Sequence, residues 1–304
     1  MPNESNLYER IVNWMEPITI YPYRTLFQFE NPEEFQVSTL RGIWGRALNE
    51  LDVRVYSELF RGAGSKQLAT PRYILRVSDR QGEIELGEIA LDFIVWGVSG
   101  AELDVMGRAW NLAGRFGLGK NRLPFRLKRI DFLYAPIPRA GLSLASLVKA
   151  SIQGSERERV RAIEFPLPLR FLERQALVME PTFEEFVKRT ITRLATIRLQ
   201  TTGDFNQLAD SGRPAEIRPE FYADVMELAN NFPTSPWRGS RCDFQRYSAS
   251  QRADLEMRGV VGGWNLYADL GALKPLVVAA EILHVGKTTT LGLGRPRLRS
   301  TSLS

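Results

Sequence analysis

At 304 residues and 44% hydrophobic content the chain has material for about two packed domains, and no apolar run approaches the ~20 residues of a membrane span. A single cysteine, Cys242, excludes an internal disulfide framework and a cysteine-built zinc site. The net charge is +5, and from Pro236 onward ten Lys/Arg face five Asp/Glu, so the whole excess falls in the last quarter. Such a balance suits a polyanion partner, although a solvated basic face has the same composition. The opening residues MPNESNLYER carry neither a basic n-region nor an apolar h-region, so no signal peptide is expected and the chain reads as cytoplasmic.

Taken in order, Tyr21–Glu30 is aromatic-rich and roughly alternating, which predicts a strand. Ser38 or Thr39 can cap a helix running to about Phe60, with Leu40, Trp44, Ala47, Leu48 and Leu51 at helical spacing and Arg41 and Arg46 off that stripe. Strands at Tyr73–Val77 and Glu83–Trp96 follow, then a helix over Ala101–Arg115, a glycine turn from Gly114 to Lys120 and a basic strand, Phe125–Tyr134. The order β-α-β-β-α-β is that of a ferredoxin-like unit.

A Pro/Gly/Ser-rich and then charged stretch reads as a linker, with room for one short helix. The second half opens with strands near Ala162–Phe171 and Gln175–Met179, a helix from Phe183 to about Gln200, and a further helix over Pro219–Asn230. Residues 233–252 read as a loop in which Arg238, Arg241, Arg246 and Arg252 alternate with Trp237, Phe244 and Tyr247. A strand is expected over Glu256–Asp269, with a bulge at Gly262-Gly263. An apolar helix then ends at the only histidine, His284, before a glycine loop, Gly286–Gly294, and a basic strand, Arg295–Arg299. The first half ends in the same helix, glycine turn and basic strand, so the pattern suggests a duplicated fold. The fold class expected is α+β: two tandem ferredoxin-like (RRM-like) domains, the second with a helical insertion. The expected divisions are 1–140, a linker over 141–161, and 162–304.

Glycines allow positive φ and close approach, exposed amides of such a loop can seat an anion, and Lys287 adds a charge. Gly286-Lys287-Thr288 is not the end of a P-loop. Glu281 stands where that motif needs its first glycine, and the order here is helix, loop, strand.

The segment HVGKTTTLGLGRPRL, with TLRGIWGRALNEL, FGLGKNRLPFRLKRI and RYSASQR, resembles the RAMP superfamily of CRISPR proteins, and within it the endoribonucleases that process CRISPR precursor transcripts. The resemblance runs from about residue 20 to the end. It implies tandem ferredoxin-like domains that bind CRISPR repeat RNA, single-stranded or hairpin, and that cut it without a metal or other cofactor. It also extends the partners to other CRISPR effector subunits, with no membrane. In that chemistry the 2′-hydroxyl attacks the adjacent phosphate, which needs a base, an acid and cations around the phosphorane. The alternative within the superfamily is a subunit that holds guide RNA and cuts nothing.

Many members carry a catalytic histidine in or beside the first helix, and this sequence has none there. The catalytic candidates are therefore His284, as a general acid or phosphate contact favoured in its charged form by a helix C-terminus, and Arg41 and Arg46 as cations for the transition state. Isolated histidines are more often structural, and helix arginines are often simply solvated. Tyr21 and Tyr23 are weighed as proton carriers, with strand packing the better account. The RNA-binding candidates are Gly286, Lys287, Thr288, Gly292 and Gly294 in the loop, Arg238, Arg241 and Arg246 in the basic aromatic segment, and Lys120. With one histidine, one cysteine and scattered acids, no metal site is expected.

Overall fold

Two antiparallel sheets with the same strand order organise the chain. The computed structural model describes residues 4–30, 35–61, 70–79, 85–118, 121–133, 141–155, 158–203, 217–248 and 253–302. After an N-terminal helix α1 (Glu4–Met15), the first unit contains β1 (Thr19–Phe29), α2 (Val37–Leu51), α3 (Val53–Arg61), β2 (Tyr73–Val77), β3 (Glu88–Trp96), α4 (Gly100–Phe116) and β4 (Phe125–Phe132). Its sheet runs β2-β3-β1-β4. A short β5 (Leu142–Ser143) pairs with the start of β1 and leads into α5 (Leu144–Gln153).

The second unit contains β6 (Glu158–Leu169), a small hairpin of β7 (Leu172–Glu173) and β8 (Ala176–Leu177), α6 (Phe183–Thr202), α7 (Pro219–Asn230), β9 (Arg238–Ser248), β10 (Ala253–Asn265), α8 (Lys274–Leu283) and β11 (Arg297–Ser302). Its sheet order, β11-β6-β10-β9, is the first unit's order again. Both halves are thus ferredoxin-like, as the element order predicts.

Local chemistry accounts for several boundaries. The single helix expected from 38 to about 60 is two, because Asp52 leaves the helical region and its Oδ1 accepts from the amides of Arg54 and Val55, opening α3. Ser99 and Glu102 form a reciprocal capping box at the start of α4. Thr182 caps α6, and Gly203 closes it in the left-handed conformation. The register shift between Val260 and Gly262 is the bulge expected in β10. Two elements differ from expectation. Helix α1 was not foreseen, and residues read as loop form β9, whose polar sequence is that of an edge strand paired on one side only.

The sequence does not anticipate how the halves join. All nine residues of β3 are buried. Tyr73, Leu75, Phe93 and Val95 face the aromatic core under α2 and α4, which holds Trp44 and Trp110. Ile74, Ile94 and Trp96 face the other way, into a core shared with α1, α5, α6 and α8. The first sheet is therefore covered on both faces, and the second cover comes largely from the other half of the chain. Trp96 Nε1 donates to Gln200 Oε1 at 2.7 Å, and Gln200 Nε2 donates to the Thr70 carbonyl at 3.0 Å, so a buried polar link crosses the same joint.

Candidate nucleic-acid interface

Helix α8 places the terminal loop at the joint between the units. Its last carbonyl, Leu283, accepts from Arg193 Nε of α6 at 3.0 Å. His284 follows with φ 55° and ψ 169°, and Thr288 has φ 66°, both conformations that side-chain-bearing residues seldom take. Several contacts hold the loop in this shape. His284 Nδ1 lies 3.1 Å from the Leu293 carbonyl, and Arg170 Nη1 donates to Thr288 Oγ1 at 2.7 Å. The Lys287 amide donates to the Arg170 carbonyl at 2.9 Å, Val285 to Gly294 at 2.9 Å, and Gly294 to Pro168 at 3.1 Å.

These contacts correct two expectations. His284 is 1% exposed, and burial, followed by the nearby charges of Arg76 and Arg295, pushes its pKa well below the ordinary histidine value. Desolvation outweighs the helix C-terminus that was expected to favour a charged ring, so the ring is neutral, with the Nδ1 proton directed at Leu293 O. The glycines, read as an open seat for an RNA backbone, are required by packing inside the protein whatever they contact outside it. A Cβ on Gly294 would stand 1.9 Å from the Val285 carbonyl oxygen, one on Gly286 2.8 Å from that of Arg170, and one on Gly292 2.8 Å from the Arg76 side chain. All three have positive φ, and the amides of Lys287, Gly292 and Gly294 are already used within the chain. The loop leaves Lys287 exposed at its vertex, with Thr288 half-buried beside it.

Helix α2 comes against both the short 3₁₀ turn of this loop, Thr289–Leu291, and β9. Arg41 is half-buried, its guanidinium 4.8 Å above the Phe60 ring and 5.7 Å from that of Tyr73, and its buried Nε has no partner. Arg46 is exposed, with its guanidinium 4.4 Å over Phe116. On β9, Arg238 and Arg241 are exposed, and Arg241 pairs with Asp243 at 2.7 Å. The backbone of Arg246 pairs with Leu255, while its side chain and the whole of Lys120 lie outside the described residues. Helix α2 thus comes against both the terminal loop and β9, and these three elements carry exposed cations at Arg46, Lys287, Arg238 and Arg241. Tyr23 does not join them. It is buried beside Phe93, and burial pushes its phenol well above the ordinary value, so it stays protonated.

Sequence reasoning missed Arg170 and Arg193. Arg193 is half-buried, its guanidinium lies 5.7 Å from the Trp96 ring, and desolvation brings its pKa down to about 10, which leaves it charged at neutral pH. An arginine in an amphipathic helix gives no signal of its own, because the carbonyl it serves belongs to an element ninety residues away.

Residues 163–296 match the family model described as CRISPR-associated endoribonuclease Cas6, a span from β6 to just before β11 and somewhat under half of the chain. The structure is similar to that of Thermus thermophilus Cas6, at 14% identity and a TM-score of 0.55, over 92% of this chain and 98% of that one. A Cas6 product complex superposes at 0.51 and 16% identity, covering 92% of this chain and 99% of the other. The chain of a partial Cas6-RT-Cas1–Cas2 complex gives 0.53 at 13% identity, over 93% of this chain and 46% of that one. No curated protein matches in sequence.

Proposed function

We propose that this chain, a Cas6/RAMP-type protein, binds CRISPR repeat RNA at the joint between its two units and cuts the precursor transcript without a metal: the 2′-hydroxyl gives up its proton and attacks the adjacent phosphorus, the P–O5′ bond breaks, and the products are a 2′,3′-cyclic phosphate and a 5′-hydroxyl that has taken up a proton. The observation that carries the reading is the family match over the second unit, joined to a fold shared along nearly the whole chain with Cas6 proteins, one of them in complex with its product. In this reading Arg41 and Arg46 stabilise the charged phosphorane from α2, Lys287 holds a phosphate at the loop vertex, and Arg238, Arg241 and Arg246 track the RNA along β9. His284 holds the loop in its strained shape through Leu293 and does not move a proton. In this reading the units divide as 1–140 and 162–304 except that β6 extends the second unit back to Glu158, and the connection before it packs through α5, which contributes Leu144, Ala145 and Val148 to the shared core.

The test is cleavage of repeat RNA, taken from the CRISPR array of the same genome, in the presence of EDTA. A single cut that disappears when the ribose 5′ to it is 2′-deoxy supports the proposal. No cut by the pure, RNA-binding protein would remove it. One observation favours a second reading, a subunit that binds guide RNA without cutting. The only imidazole in the chain is buried and neutral, so no histidine is available for proton transfer. Tight binding without product in the same assay selects that reading.

A further inference from the structure

Among the described glycines in helix interiors, Gly42 is the exposed one. It lies inside α2, is exposed, has no positive φ, and a Cβ added to it would meet nothing within 4 Å. The other glycine of that helix, Gly45, has a reason: its Cβ would stand 2.7 Å from the Phe60 ring. Gly100 and Gly203 also face open space, but they lie at the first residue of a helix and at a left-handed helix cap. Glycine inside a helix is unfavourable relative to alanine, because it loses more conformational freedom on folding. At Gly42, as at Gly107 of α4, no contact among the described residues offsets that cost, and Gly42 alone of the two is exposed.

We infer that Gly42 is a close-approach point for the RNA backbone, where the missing side chain lets the sugar–phosphate chain lie against α2. The position fits such an occupant. Thr39 lies three residues before it and Arg46 four residues after it, on the same helical face, so a hydroxyl donor and an exposed cation flank the bare backbone. Arg41 precedes it, and α2 comes against the terminal loop and β9, which carry Lys287, Arg238 and Arg241. A neutral gap between cations suits a polyanion that must come close, and a Cβ there would hold it away. The inference rests on the RNA-processing reading above and adds a contact to it.

Stability and RNA binding should then move in opposite directions in Gly42→Ala. The melting temperature should rise by about 2 °C from helix propensity, while affinity for a fluorescein-labelled repeat RNA should fall about tenfold through steric exclusion. Gly107→Ala is the matched control. It lies inside α4, where an added Cβ meets only Ile130 Cδ1 at 3.9 Å, so it should gain stability and bind RNA as the parent does. A Gly42→Ala variant that binds like the parent overturns the inference. So does one that loses stability along with binding, since the glycine would then serve the fold. Failure of the parent protein to bind repeat RNA appears in the parent arm alone, and it overturns the functional reading and this inference together.

Discussion

The two units repeat one topology, yet their glycine turns do different work. In the first, Gly114 and Gly117 pack within their own unit: an added Cβ would stand 2.3 Å from the Phe125 carbonyl oxygen and 2.1 Å from that of Arg122. In the second, the loop from Gly286 to Gly294 reaches across the joint. Gly292 lies against Arg76 of β2, and Arg295 and Arg297 both pair with Asp79 of the first unit. A helix–turn–strand closure that only completes a sheet in one copy fastens two units together in the other. Both turns hold side-chain-bearing residues at positive φ, Arg122 in the first copy and His284 and Thr288 in the second.

The sharpest way to break this comparison is a methyl in each turn. Gly294→Ala, with φ 69° and a carbonyl oxygen 1.9 Å from the new carbon, should lose about 3 kcal/mol or more by chemical denaturation. Gly117→Ala should lose a similar amount. Only the Gly294 change should also loosen the joint, read as hydrogen exchange rising around Arg76 and Asp79; equal exchange there in both variants would dissolve the distinction.

Next in size is the chemistry. Arg46→Ala should lower the single-turnover cleavage rate about 100-fold, with stability within ~0.5 kcal/mol because the side chain is exposed. An unchanged rate would take Arg46 out of the site.

His284 sharpens the contrast by pH. Its folded pKa lies well below its ordinary value, so the stability that the neutral ring contributes is fully present above about pH 6.5. That stability is lost as pH falls below 6.5 toward the folded value, with a slope approaching 1.4 kcal/mol per unit. Asn keeps a donor for Leu293 and tolerates positive φ. His284→Asn should therefore flatten this acid limb and keep most of the cleavage activity at pH 7.5. Loss of cleavage in a folded variant would restore a proton-transfer role to the ring.

The smallest expected effect is at the vertex. Lys287→Ala should weaken RNA binding by roughly 1 kcal/mol and reduce the slope of log affinity against log salt by about one. An unchanged slope would place the phosphate elsewhere.

Helices α4, α6, α7 and α8, the ferredoxin-like order and the β10 bulge were legible because each follows from neighbours in sequence, apolar periodicity or paired glycines, whereas α1 and the break between α2 and α3 were not. The second unit's β9 was not legible, since an edge strand rich in Arg and Ser shows no alternating apolar face. Within the candidate site, the cationic residues Lys287, Arg238 and Arg241 are where a basic surface would put them. Burial reverses the expected charge of His284, and packing within the protein gives the loop glycines a second reason to be glycine. Glycine is demanded equally by a ligand that comes close and by a carbonyl that comes close, and the two leave the same letters in the chain.

The sequence by itself determined the repeated sheet, the concentration of positive charge after Pro236 and the place of the glycine turn, because composition and spacing are properties of the chain alone. Only the tertiary structure decided that this turn is a joint, that burial disfavours the charged form of the single histidine and that Gly42 is exposed with no neighbour for an added Cβ among the described residues. Desolvation and contact depend on which distant residues arrive beside a group, and Arg76, Arg193 and Gln200 arrive from other elements of the fold.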